Sequence, residues 1–322
     1  ASQQAKSPIN TILTEAIQAA EAALILPTFD KLTNAQGNNI NSRQYASLGT
    51  VHTLLANIYA WMGGLYDKEE YWKKAEASAS LVIEGKVGFY DLVSMKDLVE
   101  KTFGKSRDLT EVIFSIEKNE QDDNWYATSS LEMYYPGFAL INYPYSETDP
   151  RKVDKDDIPR IYTPNHAFIN KWRDKVYSVN PEITEGSKSK LIAMEGNCIY
   201  WRLADLILLR AECRAHLGMP EAASDLNRIR ERAGLDTYRG FTDKKNLLRE
   251  IFRERERELF GEGHRYYDIV RNKYFRDILI GNYKTLTDDE VKKGALYLPV
   301  SSDAFLNNPL MTQNIYWLWH QN

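Results

Sequence analysis

Apolar residues recur every three or four positions from residue 9 to residue 24, and this period predicts an amphipathic helix near the start of the chain. We expect the helix to begin at Ser7 and Pro8, because a serine hydroxyl caps free amides and proline suits the first helical position. It should end before Pro27, since proline cannot continue a helix. The segment 34–42 that follows is rich in Asn, which predicts a loop.

The same helical period returns twice between residues 44 and 84 and predicts a hairpin of two helices. The first helix begins near residue 44 and should stop at Gly63 and Gly64, because glycine disfavours a helix interior. The second helix covers about 68–84 and carries Trp72 on its apolar face.

A second hairpin is predicted over residues 200–234, with Gly218 ending its first helix, Pro220 opening the next and Gly234 stopping it. Small residues coincide when the two hairpins are aligned: Ala56, Ala60 and Gly63 in the first match Ala211, Ala215 and Gly218 in the second. This spacing is typical of tetratricopeptide-like helix pairs, yet a free-standing solenoid needs about three repeats. The pairs are therefore expected to pack on the rest of the chain.

The pattern changes between the hairpins. The segment EVIFSIE at 111–117 alternates and is rich in β-branched residues, which predicts a short strand. Residues 118–199 show little helical period and predict a long irregular region. Seven aromatic residues fall within 21 of its positions, namely Trp125, Tyr126, Tyr134, Tyr135, Phe138, Tyr143 and Tyr145. Such a density argues against disorder and predicts a segment that packs or binds something.

Together these patterns predict a mainly α fold, in which tetratricopeptide-like helical hairpins pack with a loop-rich region that contains a few short strands. Three parts are expected. A helical region with the first hairpin covers 1–110, an irregular ligand-binding region covers 111–199, and the second hairpin with a C-terminal signature region covers 200–322.

Composition and motifs exclude several classes of protein. The net charge is -4, so a cationic surface for nucleic acid is not expected. No apolar run approaches the roughly 20 residues of a membrane-spanning helix. The five histidines and two cysteines lack the spacing of metal ligands, and no hydrolase, protease or nucleotide-binding motif occurs. We therefore predict no catalytic residue, no metal and no cofactor, and a protein that is not an enzyme.

The segment RERERELFGEGHRYYDIVR at 253–271 looks at first like catalytic machinery. Its arginines and glutamates are expected on a mostly solvated helix face, and Arg265 and Asp268 can pair because they are three positions apart. Glu262 lies where it could reach a helix N-terminus or an arginine. His264 has no neighbouring nucleophile, so we interpret the segment as a structural corner of ion pairs rather than an active site.

The same segment resembles the signature of the SusD/RagB family. The matching residues are Glu254, Arg255, Arg257, Glu258, Leu259, Glu262, Gly263, Arg265, Asp268 and Arg271, with Ile269 in place of the usual leucine. The family's closing pattern of a short strand and an Asn-Pro turn is similar to the segment with Pro299, Asn308, Pro309, Met311, Gln313 and Asn314. Two earlier helices also agree, although Tyr45 and Asp205 replace an arginine and a glutamate that are common in the family.

The resemblance implies a nutrient-binding lipoprotein of the outer membrane, exposed at the cell surface, that holds glycans or, in some members, peptides. Its implied partner is a SusC-like TonB-dependent transporter, and the family is not known for catalysis. Members normally carry a further N-terminal section that begins with a lipidated cysteine and is absent here. Contact with the membrane is expected only through that anchor, which is not present in this chain.

The candidate ligand-binding residues come from physical reasoning, because the family's ligand contacts lie on variable loops. Sugar rings stack on aromatic side chains, and their hydroxyls need polar partners. The residues that meet this description are Asp122, Asp123, Asn124, Trp125, Tyr126, Tyr134, Tyr135 and Tyr145. A peptide-binding protein and a helical scaffold for other proteins stay open as alternatives, and an all-α glycosidase is a more distant one. Some of these rings are expected simply to seal the loop onto the helices.

Overall fold

The computed structural model of the protein describes most of the chain in full. The described residues are 5–40, 42–104, 109–116, 144–146, 148–152, 171, 197–306 and 308–320, together with the backbones of 161–162, 168–169, 175–177 and 191–194. All statements of structure below concern these residues.

Helix α1 spans Ile9–Ala22 and continues into a short 3-10 turn at Ala23–Ile25, so it ends before Pro27 as predicted. The predicted cap at Ser7 is wrong, because the N-cap residue is Pro8 and no side chain caps the helix. Another 3-10 turn at Phe29–Lys31 leads into the segment that was predicted to be a loop.

Helices α2 (Leu48–Tyr66) and α3 (Glu69–Ile83) form the first predicted hairpin. The predicted stop at Gly63 and Gly64 is wrong, since α2 runs through both and ends where Asp67 adopts a left-handed conformation. Both glycines instead allow other parts of the chain to approach α2 closely. A Cβ on Gly63 would lie 2.6 Å from the ring of Trp72, and one on Gly64 would lie 2.4 Å from the backbone oxygen of Arg271.

The described strands form three two-stranded antiparallel ladders: β1 (Val112–Ile116) with β6 (Cys198–Arg202), β2 (Ile161–Tyr162) with β3 (Phe168–Ile169), and β4 (Lys175–Tyr177) with β5 (Leu191–Met194). Strand β1 confirms the alternating pattern of its sequence. Strand β6 was not predicted, because residues 200–202 were assigned to the following helix and 198–199 to the irregular region. Phe114 pairs with Trp201 in this ladder, which fixes the point where the loop-rich region rejoins the helices.

The second predicted hairpin consists of α4 (Leu203–His216) and α5 (Glu221–Arg232). Helix α4 packs against α3 on one side and against α5 and the next helix on the other. Twelve of its residues are buried, which makes it the central helix of the largest apolar core. The aligned small residues Ala56, Ala60, Ala211 and Ala215 are all buried, as expected for helices that cross closely.

Helix α6 (Lys244–Glu258) crosses α4, and α7 (Arg265–Arg271) packs against α2. The shorter helices α8 (Phe275–Ile278), α9 (Asp288–Lys292) and α10 (Ile315–Leu318) surround a second apolar core that includes Phe252 and Tyr316. The closing segment contains no strand at 297–300. Instead, the side-chain amide of Gln313 exchanges two hydrogen bonds with the backbone of Val300, at 2.9 and 3.0 Å.

Candidate functional site

Seven of the eight predicted ligand-binding residues lie outside the described residues: Asp122, Asp123, Asn124, Trp125, Tyr126, Tyr134 and Tyr135. The eighth, Tyr145, is only 7% exposed. Its hydroxyl donates a hydrogen bond to the carbonyl of Arg257 at 3.1 Å, and its ring meets Phe260 edge to face at 6.1 Å. Little of this ring is left for a ligand, so Tyr145 attaches the loop-rich region to the end of α6.

Three of the six charged residues at 253–258 in α6 are buried, which corrects the prediction of a mostly solvated face. Glu254, Arg255 and Glu258 are between 0% and 2% exposed. Glu254 pairs with Arg257 of the same helix at 2.7 Å, but the other partners of these three residues come from distant segments. Buried charged side chains of this kind are found where such partners compensate them. The period of the sequence could not show this, because it reveals only which positions share a helix face.

Most of these partners belong to one cluster, which we call the charge network. It consists of the buried side chains Glu111, Asp149, Arg151, Lys171, Arg202, Arg232, Glu254, Glu258 and Glu262. The network joins β1, β6, α5 and α6 to the described parts of the loop-rich region. It therefore attaches residues 148–152 and Lys171 to the helices.

Arg151 attaches residues 148–152 to the helices. Its guanidinium donates to both carboxylate oxygens of Asp149 at 2.8 and 2.9 Å and to Glu254 at 2.6 Å. The guanidinium is completely buried, and its planar fork matches the two carboxylates around it. An arginine in this position fixes the backbone near Tyr145 against α6.

Lys171 and Arg202 share the carboxylate of Glu262. The lysine Nζ lies 2.5 Å from one oxygen and also donates to the carbonyl of Glu258 at 2.9 Å, while Arg202 donates to both oxygens of Glu262 at 2.7 and 2.8 Å. Burial alone would raise the pKa of Glu262, but the charges of Arg202 and Lys171 outweigh it and lower the pKa to about 2. This confirms the expectation that Glu262 reaches an arginine.

Glu258 lies at the centre of the charge network. Its carboxylate is 2.8 Å from Arg202 and 3.6 Å from Arg151, and it also accepts a hydrogen bond from Arg232. Burial opposes ionisation, yet the guanidinium groups of Arg232 and Arg202 hold the pKa of Glu258 well below its ordinary value. The carboxylate is therefore a permanent anion among buried cations.

A second group of ion pairs joins α6 to α4 and α7. Arg255 donates to Asp205 and Asp268 at 2.8 Å each, and Arg271 bonds both Glu212, at 2.6 and 2.7 Å, and Asp268, at 2.7 Å. The predicted pairing of Arg265 with Asp268 is wrong, because Asp268 is taken by these two arginines. Arg265 instead pairs with Glu256 at 3.0 Å.

The ion pairs around these carboxylates determine which chemistry the described site can perform. General acid catalysis needs a carboxyl group that keeps its proton, usually through a raised pKa. Here the pKa values of Glu258, Glu262 and Asp268 are all lowered by neighbouring arginines, after burial has acted in the opposite direction. These carboxylates are suited to hold structure and not to transfer protons.

Sequence reasoning missed Arg151, Lys171 and Arg202, because no local spacing connects them to α6. Among the described residues, no group of three or more His, Cys, Asp or Glu side chains could hold a metal ion. No helix in the same part of the chain has the length and apolar character needed to cross a bilayer.

Comparison with known proteins identifies the family to which this chain belongs. The sequence profile of the SusD family matches residues 90–317, which include β1, both ends of the loop-rich region and the whole charge network. This chain belongs to the SusD family.

Two SusD-like proteins from Formosa agariphila are similar in sequence, 34% identical over 128 residues and 31% identical over 125 residues. Each match covers 37% of this chain but only 24% of the relative's own length. The part of the chain that matches thus spans about a quarter of these relatives.

Solved structures of the same superfamily are similar over nearly the entire chain. A SusD homolog from Bacteroides thetaiotaomicron superposes with a TM-score of 0.70 and 23% identity, covering 97% of this chain and 69% of the other. NanU from Bacteroides fragilis gives 0.65 and 18%, covering 99% and 71%. A SusD-like carbohydrate binding protein from Bacteroides vulgatus gives 0.54 and 18%, covering 83% and 52%. The mainly α fold with tetratricopeptide-like hairpins is thereby confirmed.

Proposed function

We propose that this protein is a non-catalytic, cell-surface binding protein that captures an oligosaccharide or polysaccharide and passes it to a SusC-like TonB-dependent transporter in the outer membrane. The observation that carries the proposal is membership of the SusD family across residues 90–317. One structural neighbour is described as a carbohydrate binding protein, which favours a glycan over a peptide as the ligand.

The described residues support a binding role in a second way. The charge network attaches residues 148–152, residue 171 and β6 to α6, through side chains such as Arg151 and Arg202 that are completely buried. Variable loops that recognise ligands work best on a rigid scaffold, because less ordering is needed when the ligand binds. We infer that the aromatic segment with Trp125 supplies the ligand contacts and that the network supplies the scaffold.

The proposal is tested by affinity electrophoresis in gels that contain plant, bacterial or host polysaccharides. We expect at least one polysaccharide to retard the wild-type protein and Trp125→Ala to lose most of that retardation. Trp319→Ala is the matched control, because Trp319 is 81% exposed and belongs to the C-terminal segment. A control that loses retardation as strongly as Trp125→Ala would reject the aromatic segment as the site.

If no polysaccharide retards the folded wild-type protein, the glycan proposal is wrong. Calorimetry against a mixed peptide library then tests the peptide-binding alternative. Delivery to a transporter is tested separately, by asking whether the protein in its native membrane co-purifies with a TonB-dependent porin.

A further inference from the structure

A band of exposed aromatic side chains lies on a surface formed by the end of α2, the start of α7 and the segment before residue 300. Tyr267 is 59% exposed, Tyr266 40% and Tyr297 39%, and Trp61 is half-buried beside them. Soluble proteins expose single apolar residues routinely, but a contiguous group of large rings marks a site of interaction. None of these residues belongs to the predicted ligand-binding segment.

The four rings, Trp61, Tyr266, Tyr267 and Tyr297, form one continuous surface that we call the aromatic band. Trp61 and Tyr267 meet edge to face with centroids 6.1 Å apart and planes at 70°, and Tyr267 and Tyr266 do so at 6.4 Å and 77°. The Tyr266 hydroxyl donates to the carbonyl of Leu296, which places Tyr266 beside Tyr297. Edge-to-face contacts do not cover the faces of both rings, so ring faces stay open to a ligand.

Hydrogen-bonding groups surround the aromatic band. The hydroxyls of Tyr267 and Tyr297 have no hydrogen-bond partner among the described residues. Tyr66, close to Tyr297, donates to the side-chain oxygen of the exposed Asn10, whose amide nitrogen donates to none of the described residues. The exposed ammonium group of Lys6 donates a hydrogen bond to Asn314. Hydroxyl and amide groups of this kind suit a ligand that is rich in hydroxyl groups.

We propose that the aromatic band is a second carbohydrate-binding surface, at which Tyr267 and Tyr297 stack against the apolar faces of sugar rings in a polysaccharide. This inference rests on the proposed function, because it assumes the same class of ligand. Open ring faces provide the stacking, and the unpartnered hydroxyls with the Asn10 amide provide hydrogen bonds to sugar hydroxyls. The band's few exposed residues fall far short of the roughly 20–30 residues per side of a standard protein interface, which favours a glycan as the occupant.

A second binding surface would matter most for long polysaccharides. A polysaccharide held at the aromatic segment has a high effective concentration at any other site that it can reach, so even a weak second site strengthens retention. A short oligosaccharide cannot engage both places. The aromatic band is therefore expected to affect binding of the polymer more than binding of its short fragments.

The test uses affinity electrophoresis in the polysaccharide that retards the wild-type protein. We expect Tyr267→Ala to weaken the apparent affinity roughly two- to tenfold, the range of one aromatic contact. Tyr267→Phe should keep most of the affinity, because the ring is retained. Phe241→Ala is the matched control, since Phe241 is 78% exposed and lies in the segment before α6, outside the band, and it should leave the affinity unchanged.

Three outcomes would overturn the inference in distinguishable ways. If Trp125→Ala abolishes retardation and Tyr267→Ala migrates like the wild type, only the second surface is refuted. If no polysaccharide retards the wild type, the proposed function fails and the second surface fails with it. If sedimentation shows a dimer that Tyr267→Ala converts to monomers, the band is a contact between two copies of the chain and not a glycan site.

Discussion

The buried carboxylate of Glu258 gives a sharp test of the charge network. In Glu258→Gln the side chain keeps its shape but loses its charge, so Arg151, Arg202 and Arg232 lose a shared anion inside the protein. Removing one partner of a buried ion pair typically destabilises a protein by about 3–5 kcal/mol, because the remaining charge is left uncompensated. Gln can still accept one hydrogen bond, so we expect a loss of about 3 kcal/mol, at the lower end of that range.

Glu256 offers a matched control in the same helix. Its side chain is 35% exposed and makes one ion pair, with Arg265 at 3.0 Å. An exposed pair of this kind contributes about 0–1 kcal/mol, so Glu256→Gln should be nearly neutral. Both variants are compared with the wild type by guanidinium unfolding at pH 7, monitored by circular dichroism. Equal losses in the two variants would refute the conclusion that Glu258 is a buried anion that its arginine partners require.

Three further predictions follow from the same contacts. The pKa of Glu262 is lowered to about 2, so its ionised form stabilises the protein at pH values above the ordinary pKa of a carboxyl group, and the free energy of unfolding should fall as the pH drops from about 5 towards 2. In Glu262→Gln this pH-dependent loss, about 3 kcal/mol when measured by urea unfolding, should disappear. His216 stacks on Trp72 at 3.9 Å, and burial lowers its pKa to about 4, so stability should also decline between about pH 6.5 and 4. His216→Phe keeps the stacked ring and should remove that decline in thermal melts; an unchanged pH profile would contradict the assignment. Gly64→Ala should destabilise the protein by about 1–3 kcal/mol in urea, despite alanine's higher helix propensity, because its Cβ would meet the backbone of Arg271; a gain in stability would show that the helices can separate there.

Much of the fold could be predicted from periodicity alone. The three-to-four-residue spacing gave the two hairpins, and alternation gave β1, because both signals are local. The glycines of α2 were misinterpreted, since helix propensity says nothing of a neighbouring helix that excludes a Cβ, as Trp72 does at Gly63. Strand β6 was missed because its partner β1 lies more than 80 residues away in the sequence.

The same limit applies to the candidate site. The segment 253–271 was interpreted as a structural cluster of ion pairs, and the structure confirms that its charged side chains form such a cluster. Its burial was not predictable, because Arg151 and Lys171 approach α6 from segments that no spacing rule links to it. Tyr145 illustrates the opposite problem. Its aromatic character fitted a ligand contact, and only its hydrogen bond to Arg257 and its low exposure show that the ring is already packed.

The central claim is that this chain binds a glycan and leaves it intact. The most direct test is a calorimetric titration of the wild-type protein with an oligosaccharide from the polysaccharide that retards it, followed by chromatography of the recovered sugar. We predict saturable heat of binding, a strongly reduced signal with Trp125→Ala, and recovered sugar of unchanged length. No heat with any glycan of the panel would contradict the binding claim, and shortened products would contradict the claim that the protein is not an enzyme.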